Sequence, residues 1–353
     1  MNLDIPVVDA SGRRAGPPQA RPDPLGGSLA VLGERGADMT ILIIGHGSRE
    51  RSGNDEIELF AAQWRARHPE WRIEVCFIEF AEVMLEAGLR RAAIGSRRVL
   101  VLPLILNAAG HAKMEIPEHI AEARAESPGV QFLYAPHLGA GEQILKILRR
   151  QLRSAMNTLD MPDPTGTGVI VLGRGSSDRG ANGELAKMAR WLLEETDHEL
   201  VDLAFTGITW PRLEKVVQRQ VLLGMRQIVL LPYYLFTGTL VQRIGRQIEH
   251  LRIQYPQVRF ASGHYFGFEP EIFGLMDQRV HDLLDGAPEA LMPCDGCKFR
   301  LFAEEHGQGH HHHDDGHVPA QVHDHAHEHG HEHPHGRAHD HAHGHDHAGR
   351  SHA

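Results

Sequence analysis

Three residues in the first third of the chain are of types that hold metal ions and move protons. They are His46, Glu79 and His111, spaced 33 and 32 residues apart. Two imidazoles and a carboxylate suit a borderline divalent ion such as Co2+, Ni2+, Fe2+ or Zn2+. Neutral imidazole, with an ordinary pKa of ~6.5, also accepts protons near neutrality. Each residue taken alone has a plainer reading: a histidine at a strand end is commonly a hydrogen-bonded loop residue, and Glu79 could cap a helix. The turn Gly45-His46-Gly47-Ser48 also has the look of an anion cradle. The dinucleotide fingerprint G-x-G-x-x-G is nevertheless incomplete, because Glu50 stands where the third glycine belongs, and Arg51 and Gly53 do not restore it. A phosphate-binding G-x-x-x-x-G-K-[ST] is missing, so the chemistry is expected to run without ATP.

The elements that must position these residues follow from hydrophobic pattern. TILIIG (40–45) is a continuous apolar run ending in glycine, as for a strand buried on both faces of a parallel sheet. Residues 55–67 place Ile57, Phe60, Ala61 and Trp64 at helical spacing, and His68-Pro69 ends that helix. A strand is predicted at 72–80, a helix at 83–94, a strand at 98–106 and a helix at 117–126. A short strand QFLYA and a helix over 141–158 complete the series. Alternation of this kind predicts an α/β fold, a parallel sheet with helices on both faces. Ligands of such sheets bind outside the carboxyl ends of the strands, where His46, Glu79 and His111 can converge.

The pattern then repeats. GHGSRERSGN (45–54) matches GRGSSDRGAN (173–182) at an offset of 128, and VLVLPLIL (99–106) matches IVLLPYYL (228–235) at 129. LGAGEQILKILRRQL (138–152) matches FGFEPEIFGLMDQRV (266–280), again at 128. This is an internal duplication. It predicts two similar α/β domains facing each other across a cleft, at 38–160 and 169–288, joined by a Pro/Gly linker at 161–168. A Pro/Gly/Arg-rich leader (1–37) precedes them; a cysteine-bearing segment (289–305) and a histidine-rich tail (306–353) follow. The copies differ where chemistry is expected. Arg174 stands opposite His46, Gly207 opposite Glu79 and Leu240 opposite His111. A purely structural trio should be needed in both copies.

Composition narrows the partners. The 353 residues carry 36 Lys and Arg against 46 Asp and Glu, a net charge of −10, so nucleic acid is not an expected partner. Three cysteines cannot make a disulfide framework. No apolar run approaches the ~18 to 20 residues that cross a bilayer, and the start lacks the cationic-then-apolar pattern of a secretory signal. A cytoplasmic location and no membrane association are expected. Of 28 histidines, 19 lie from His306 onward, leaving nine before it. The densest tail positions are His310, His311, His312, His313, His323, His325, His327, His329, His331 and His333, interleaved with acids. Such a segment cannot build a core and is expected to be disordered without metal, holding several divalent ions weakly as a metal store.

GHGSR (45–49), FIEFAE (77–82) and LPLILNAAGHAKMEIP (102–117) resemble the sirohydrochlorin cobaltochelatases of the class II chelatase group. The duplicated order, the late Met292-Pro293-Cys294-Asp295-Gly296-Cys297 and the histidine-rich tail resemble the long form of that family. The resemblance implies two chelatase-like domains and insertion of Co2+ into sirohydrochlorin, or its reduced precursor, on the anaerobic route to cobalamin. It assigns metal binding and proton acceptance to His46 and His111, with Glu79 as the accompanying acid. The substrate is a polycarboxylate, so Arg49, Arg51, Lys113 and Arg174 are candidate contacts, beside the reading of ordinary surface charge. The resemblance also implies an iron–sulfur cluster at Cys294 and Cys297. Two thiolates are too few for a four-cysteine cluster, so a homodimer or non-cysteine ligands would have to complete it; two free thiols or a zinc half-site are the alternatives. The sequence departs from the family at Val83, where a proline is usual, and at Glu115, where an aspartate is usual. Rival readings are the same reaction with Fe2+ or Ni2+ and, in another class, a non-catalytic metal store or chaperone.

Overall fold

In a computed structural model the described residues are 38–285. They contain two four-stranded, all-parallel sheets. The first takes β1 (Met39–Gly45), β2 (Arg72–Phe77), β3 (Arg98–Pro103) and β4 (Gln131–Tyr134) in the order β2-β1-β3-β4. The second repeats it with β5 (Thr167–Gly173), β6 (Leu200–Phe205), β7 (Gln227–Pro232) and β8 (Arg259–Ser262) as β6-β5-β7-β8. Helices α1 (Arg51–Arg67), α2 (Leu85–Ala93), α3 (Ile116–Glu126) and α4 (Glu142–Met156) alternate with the first set. Helices α5 (Arg179–Glu194), α6 (Leu213–Leu222), α7 (Thr239–Gln254) and α8 (Pro270–Leu284) alternate with the second.

Strand β1 shows why its sequence is apolar throughout. Successive side chains point to opposite faces of a strand. Ile41 and Ile43 enter one core and Leu42 and Ile44 the other, all fully buried. Helices α2 and α3 cover one face of the first sheet, and α6 and α7 cover the matching face of the second. The remaining faces share a single apolar cluster that runs through both halves. Helix α1 contributes Ile57, Phe60, Ala61 and Trp64 to it, buried as their spacing predicts. The Phe60 ring stacks on Phe273 of α8 at 4.3 Å, and Trp64 Nε1 donates to Asp277 Oδ1 at 2.8 Å.

The last helix of each half crosses over. Helix α4 packs on β7 and β8 of the second sheet, and α8 packs on β3 of the first. The sequence copies are therefore not independent packing units, and both lie in one compact body. Several element boundaries also differ from expectation. Strands β2 and β3 stop at Phe77 and Pro103, three residues early, and β5 begins at Thr167, inside the predicted linker. Helix α1 begins at Arg51, four residues early, because Gly53-Asn54 sits in its first turn. There Asn54 accepts from the Ser48 N–H at 2.8 Å instead of forming a separate turn. Cys76 is fully buried under α2, its thiol pushed up to about 12 by burial, as a core cysteine should be. The leader, the segment with Cys294 and Cys297 and the whole tail lie outside the described residues.

Candidate active site

His46 is placed by a turn that the fold builds twice. In the first half Ser48 N–H bonds Asn54 Oδ1, and the Glu79 N–H donates to the His46 carbonyl at 3.1 Å. In the second, Ser176 N–H bonds Asn182 Oδ1 at 2.9 Å, and Gly207 N–H donates to the Arg174 carbonyl at 3.0 Å. These matched contacts establish that Arg174 occupies the position of His46 and Gly207 that of Glu79. Gly47 lets the two loops close: its φ is +90°, and a side chain there would meet the Glu79 carbonyl oxygen at 1.7 Å. With no side chain in the way, His46 Nδ1 lies 3.2 Å from Glu79 Oε1. Glu79 itself sits two residues past β2, in the loop to α2.

His111 is reached through a device that the second half lacks. Strands β3 and β7 correspond at an offset of 129, and so do the helix entries, with Lys113 N–H on Ala109 and Gln242 N–H on Gly238. By the helix ends the offset is 128, with Ser127 N–H on Ala123 and Tyr255 N–H on Leu251. The first half thus holds one extra residue, absorbed in a π-helical turn over His111–Glu115 that precedes α3. Single π-turns of this kind are rare and frequent at functional sites. The turn sets the His111 ring edge-on to His46, centroids 4.9 Å apart, and its Nδ1 bonds Glu115 Oε2 at 2.5 Å.

The two imidazoles are tuned in opposite directions. Burial holds His46 below its usual value of 6.5; the neighbouring His111 adds to this, Glu79 opposes it, and Arg174 lowers it further. His111 is held above that value, chiefly by its hydrogen bond to Glu115, against partial burial. His46 is therefore the readier electron-pair donor and His111 the readier proton holder. Among the described residues no three His, Cys, Asp or Glu side chains form a ready-made ligand set. Here His46 meets both Glu79 and His111 instead, and all three are partly exposed.

The same fold recurs in known proteins. A family model described as CbiX matches residues 40–155 and, a second time, 168–283. The chain belongs to the CbiX family. It is 38% identical over 274 residues to a sirohydrochlorin cobaltochelatase of Priestia megaterium, covering 77% of this chain and 88% of that protein. It is 29% identical over 245 residues to a sirohydrochlorin ferrochelatase of the same organism, covering 69% and 90%. Among solved structures it resembles SirB from Bacillus subtilis with Fe3+, at a TM-score of 0.62 and 28% identity, over 72% of this chain and 98% of that one. SirB in complex with cobalt, from subspecies spizizenii, gives a TM-score of 0.60 at 26% identity over the same shares. Family membership accounts for the repeat, since both halves match one model.

The other candidates separate in space. Arg174 reaches the site, its Nη1 3.4 Å from His46 Nε2 across the two halves. Lys113 also spans the halves, but its ammonium is engaged by Asp178, the N-cap of α5, and is not a free cation here. Arg49 lies over the Phe80 ring at 4.8 Å, and Arg51 is almost fully exposed and pairs with Asp55. Of the two acids in FIEFAE, Glu79 stands beside His46 and Glu82 is exposed. The bond between Glu115 and His111 was not among the expectations, although the H-x-x-x-E spacing signals it. The return of the repeat offset from 129 to 128 was the trace of the π-turn, whereas the earlier step from 128 to 129 reflects the one-residue-longer helix after β6.

Proposed function

We propose that this chain is a sirohydrochlorin cobaltochelatase, inserting Co2+ into sirohydrochlorin or its reduced precursor without ATP. Family membership and the 38% identity to a cobaltochelatase support this reading. One observation carries the choice of site: the His46, Glu79 and His111 cluster exists at only one of two otherwise equivalent strand ends. A structural role would have required it at both.

The reaction has three demands, and the side chains meet them separately. The incoming ion needs donors; His46, kept neutral by burial, and Glu79 supply them. Two pyrrole protons must leave; His111 takes one at the unbonded Nε2 while Glu115 holds Nδ1, fixing the tautomer, and the other passes to solvent, to which the partly exposed site opens. The substrate carboxylates need cations; Arg174 stands at the junction of the halves. Arg49 and Lys113 are second-rank contacts, and Arg51 points to solvent. Cobalt here is substrate. An iron–sulfur cluster takes no part in these steps. Cys76 is sealed in the core, so within one chain a cluster would have only Cys294 and Cys297, short of four thiolates. A homodimer would supply the missing pair. Among the described residues no helix is long and apolar enough to cross a membrane. We assign the reaction to the cytoplasm, where three cysteines without a disulfide framework belong.

Purified protein, anaerobic sirohydrochlorin and each divalent ion in turn provide the test, followed by the macrocycle's absorbance. Wild type should insert Co2+. His46→Ala and His111→Ala should abolish insertion while the tail keeps bulk metal binding. Unchanged insertion in both variants would remove the site, and absence of insertion by wild type would leave the metal-store reading.

A further inference from the structure

The second half keeps a strand-end site of its own, and its residues are not metal ligands. Backbone contacts pair Arg174 with His46 and Gly207 with Glu79. Beyond the extra residue the offset is 128, which sets Arg243 against Glu115. With Leu240 opposite His111, the set His, Glu, His, Glu becomes Arg, Gly, Leu, Arg. Both acids are gone and two permanent cations have arrived. A third guanidinium joins them: Arg212 Nη1 lies 3.9 Å from where a Gly207 side chain would begin, next to the space that Glu79 fills in the other half.

These cations are unusual in being uncommitted. Among the described residues Arg174, Arg212 and Arg243 form no ion pair with a carboxylate. Arg174 instead meets His46, and Arg212 lies over the Trp210 ring at 5.1 Å. Arg174 and Arg243 both act on the hydroxyl of Tyr234, which burial pushes up to about 12 and which bonds Thr206 Oγ1 at 2.9 Å. Trp210 is 67% exposed and Ile208, held at a φ of 58°, is 56% exposed, so the same loop offers a flat apolar surface. Unpaired guanidinium groups beside a metal-binding histidine repel a divalent ion. Their placement makes sense where an anion covers them.

We propose that Arg174, Arg212 and Arg243 form the carboxylate-binding pole of the active site. They hold the acidic arms along one edge of the macrocycle, with its face on Trp210, and turn the ring centre toward His46 and His111. The duplicated scaffold has thus divided its labour, one strand end for the ion and the other for the polycarboxylate. The proposal rests on the chelatase reading of the first half and adds how the substrate is oriented.

The test titrates metal-free sirohydrochlorin anaerobically into the full-length protein, and separately Co2+ without macrocycle. In Arg212→Met/Arg243→Met the macrocycle Kd and the KM should rise about tenfold or more, as expected for lost charged hydrogen bonds. The loss should fall on KM more than on kcat, with Co2+ binding retained. Wild-type macrocycle affinity should fall as salt rises, less steeply in the double variant. Arg259→Met, at the start of β8 and the opposite sheet edge, is the control and should behave as wild type. A double variant that binds the macrocycle like wild type, or wild-type affinity indifferent to salt, overturns the proposal. A wild-type protein that binds the macrocycle by these cations but never metallates it overturns the chelatase reading instead.

Discussion

Gly47→Ala tests whether the approach of two loops sets the chemistry. The residue sits at φ +90°, where an L side chain is strained, and its Cβ would stand 1.7 Å from the Glu79 carbonyl oxygen. Reaching the 3.0 Å below which real Cβ contacts essentially do not occur requires the loops to part by about 1.3 Å, the difference between those distances. The His46–Glu79 contact of 3.2 Å would open by a comparable amount. Misplacing reacting groups by about 1 Å can lower rates by about 100-fold. The second half contains the matched control. Gly175, at φ +86°, would place its Cβ 2.5 Å from the Gly207 carbonyl oxygen, a shift of about 0.5 Å by the same measure, with no imidazole–carboxylate pair to disturb. Backbone strain of about 1–3 kcal/mol is common to both variants, so both should lose some thermal stability. Anaerobic Co2+ insertion, followed by macrocycle absorbance beside melting temperatures, separates the effects. Gly47→Ala should lose about 100-fold in kcat/KM, whereas Gly175→Ala should lose a few-fold, mainly in KM through Arg174. Equal losses in the two variants, or a fully active Gly47→Ala, would refute the reasoning.

Three further outcomes are expected. Glu115→Gln removes the carboxylate that raises His111, so the pH below which insertion fails should move downward; an unmoved pH–rate profile breaks the link. The same raised value means that this pair stabilises the fold below the ordinary histidine pKa, an effect lost as pH rises through the folded-state value. Trp64→Phe deletes the bond to Asp277 and leaves a void in the core, costing about 1–3 kcal/mol. Because that core is continuous, urea should still unfold both halves in one transition; two separate transitions would contradict a shared core. Deleting 306–353 should impair the protein in metal-poor medium while turnover at saturating Co2+ stays nearly intact, and collapse of that turnover would refute the storage role.

Much of the architecture was legible in the sequence because short-range patterns encode it. The buried strands are apolar throughout, the helices carry 3.6-residue spacing, and two halves matching at a near-constant offset announce duplication. His46, Glu79 and His111 could be singled out because the chain carries its own comparison copy. Element ends were less legible. Asn54 looks like a turn residue and is helical, because its amide is occupied by the distant backbone of Ser48 and Phe80.

What the sequence could not express is pairing between segments far apart along the chain. Helices α4 and α8 have the apolar faces expected of any flanking helix, and only packing decides that each covers the other half's sheet. Arg174 and Lys113 read alike as basic residues, yet one meets His46 and the other is taken by Asp178. The imidazoles also acquire opposite biases only on folding, since burial and a hydrogen-bonded carboxylate act over a few ångströms of space. Residue types and their repetition fixed which groups are available; three-dimensional proximity, on which desolvation and Coulomb forces depend, decided what each can do.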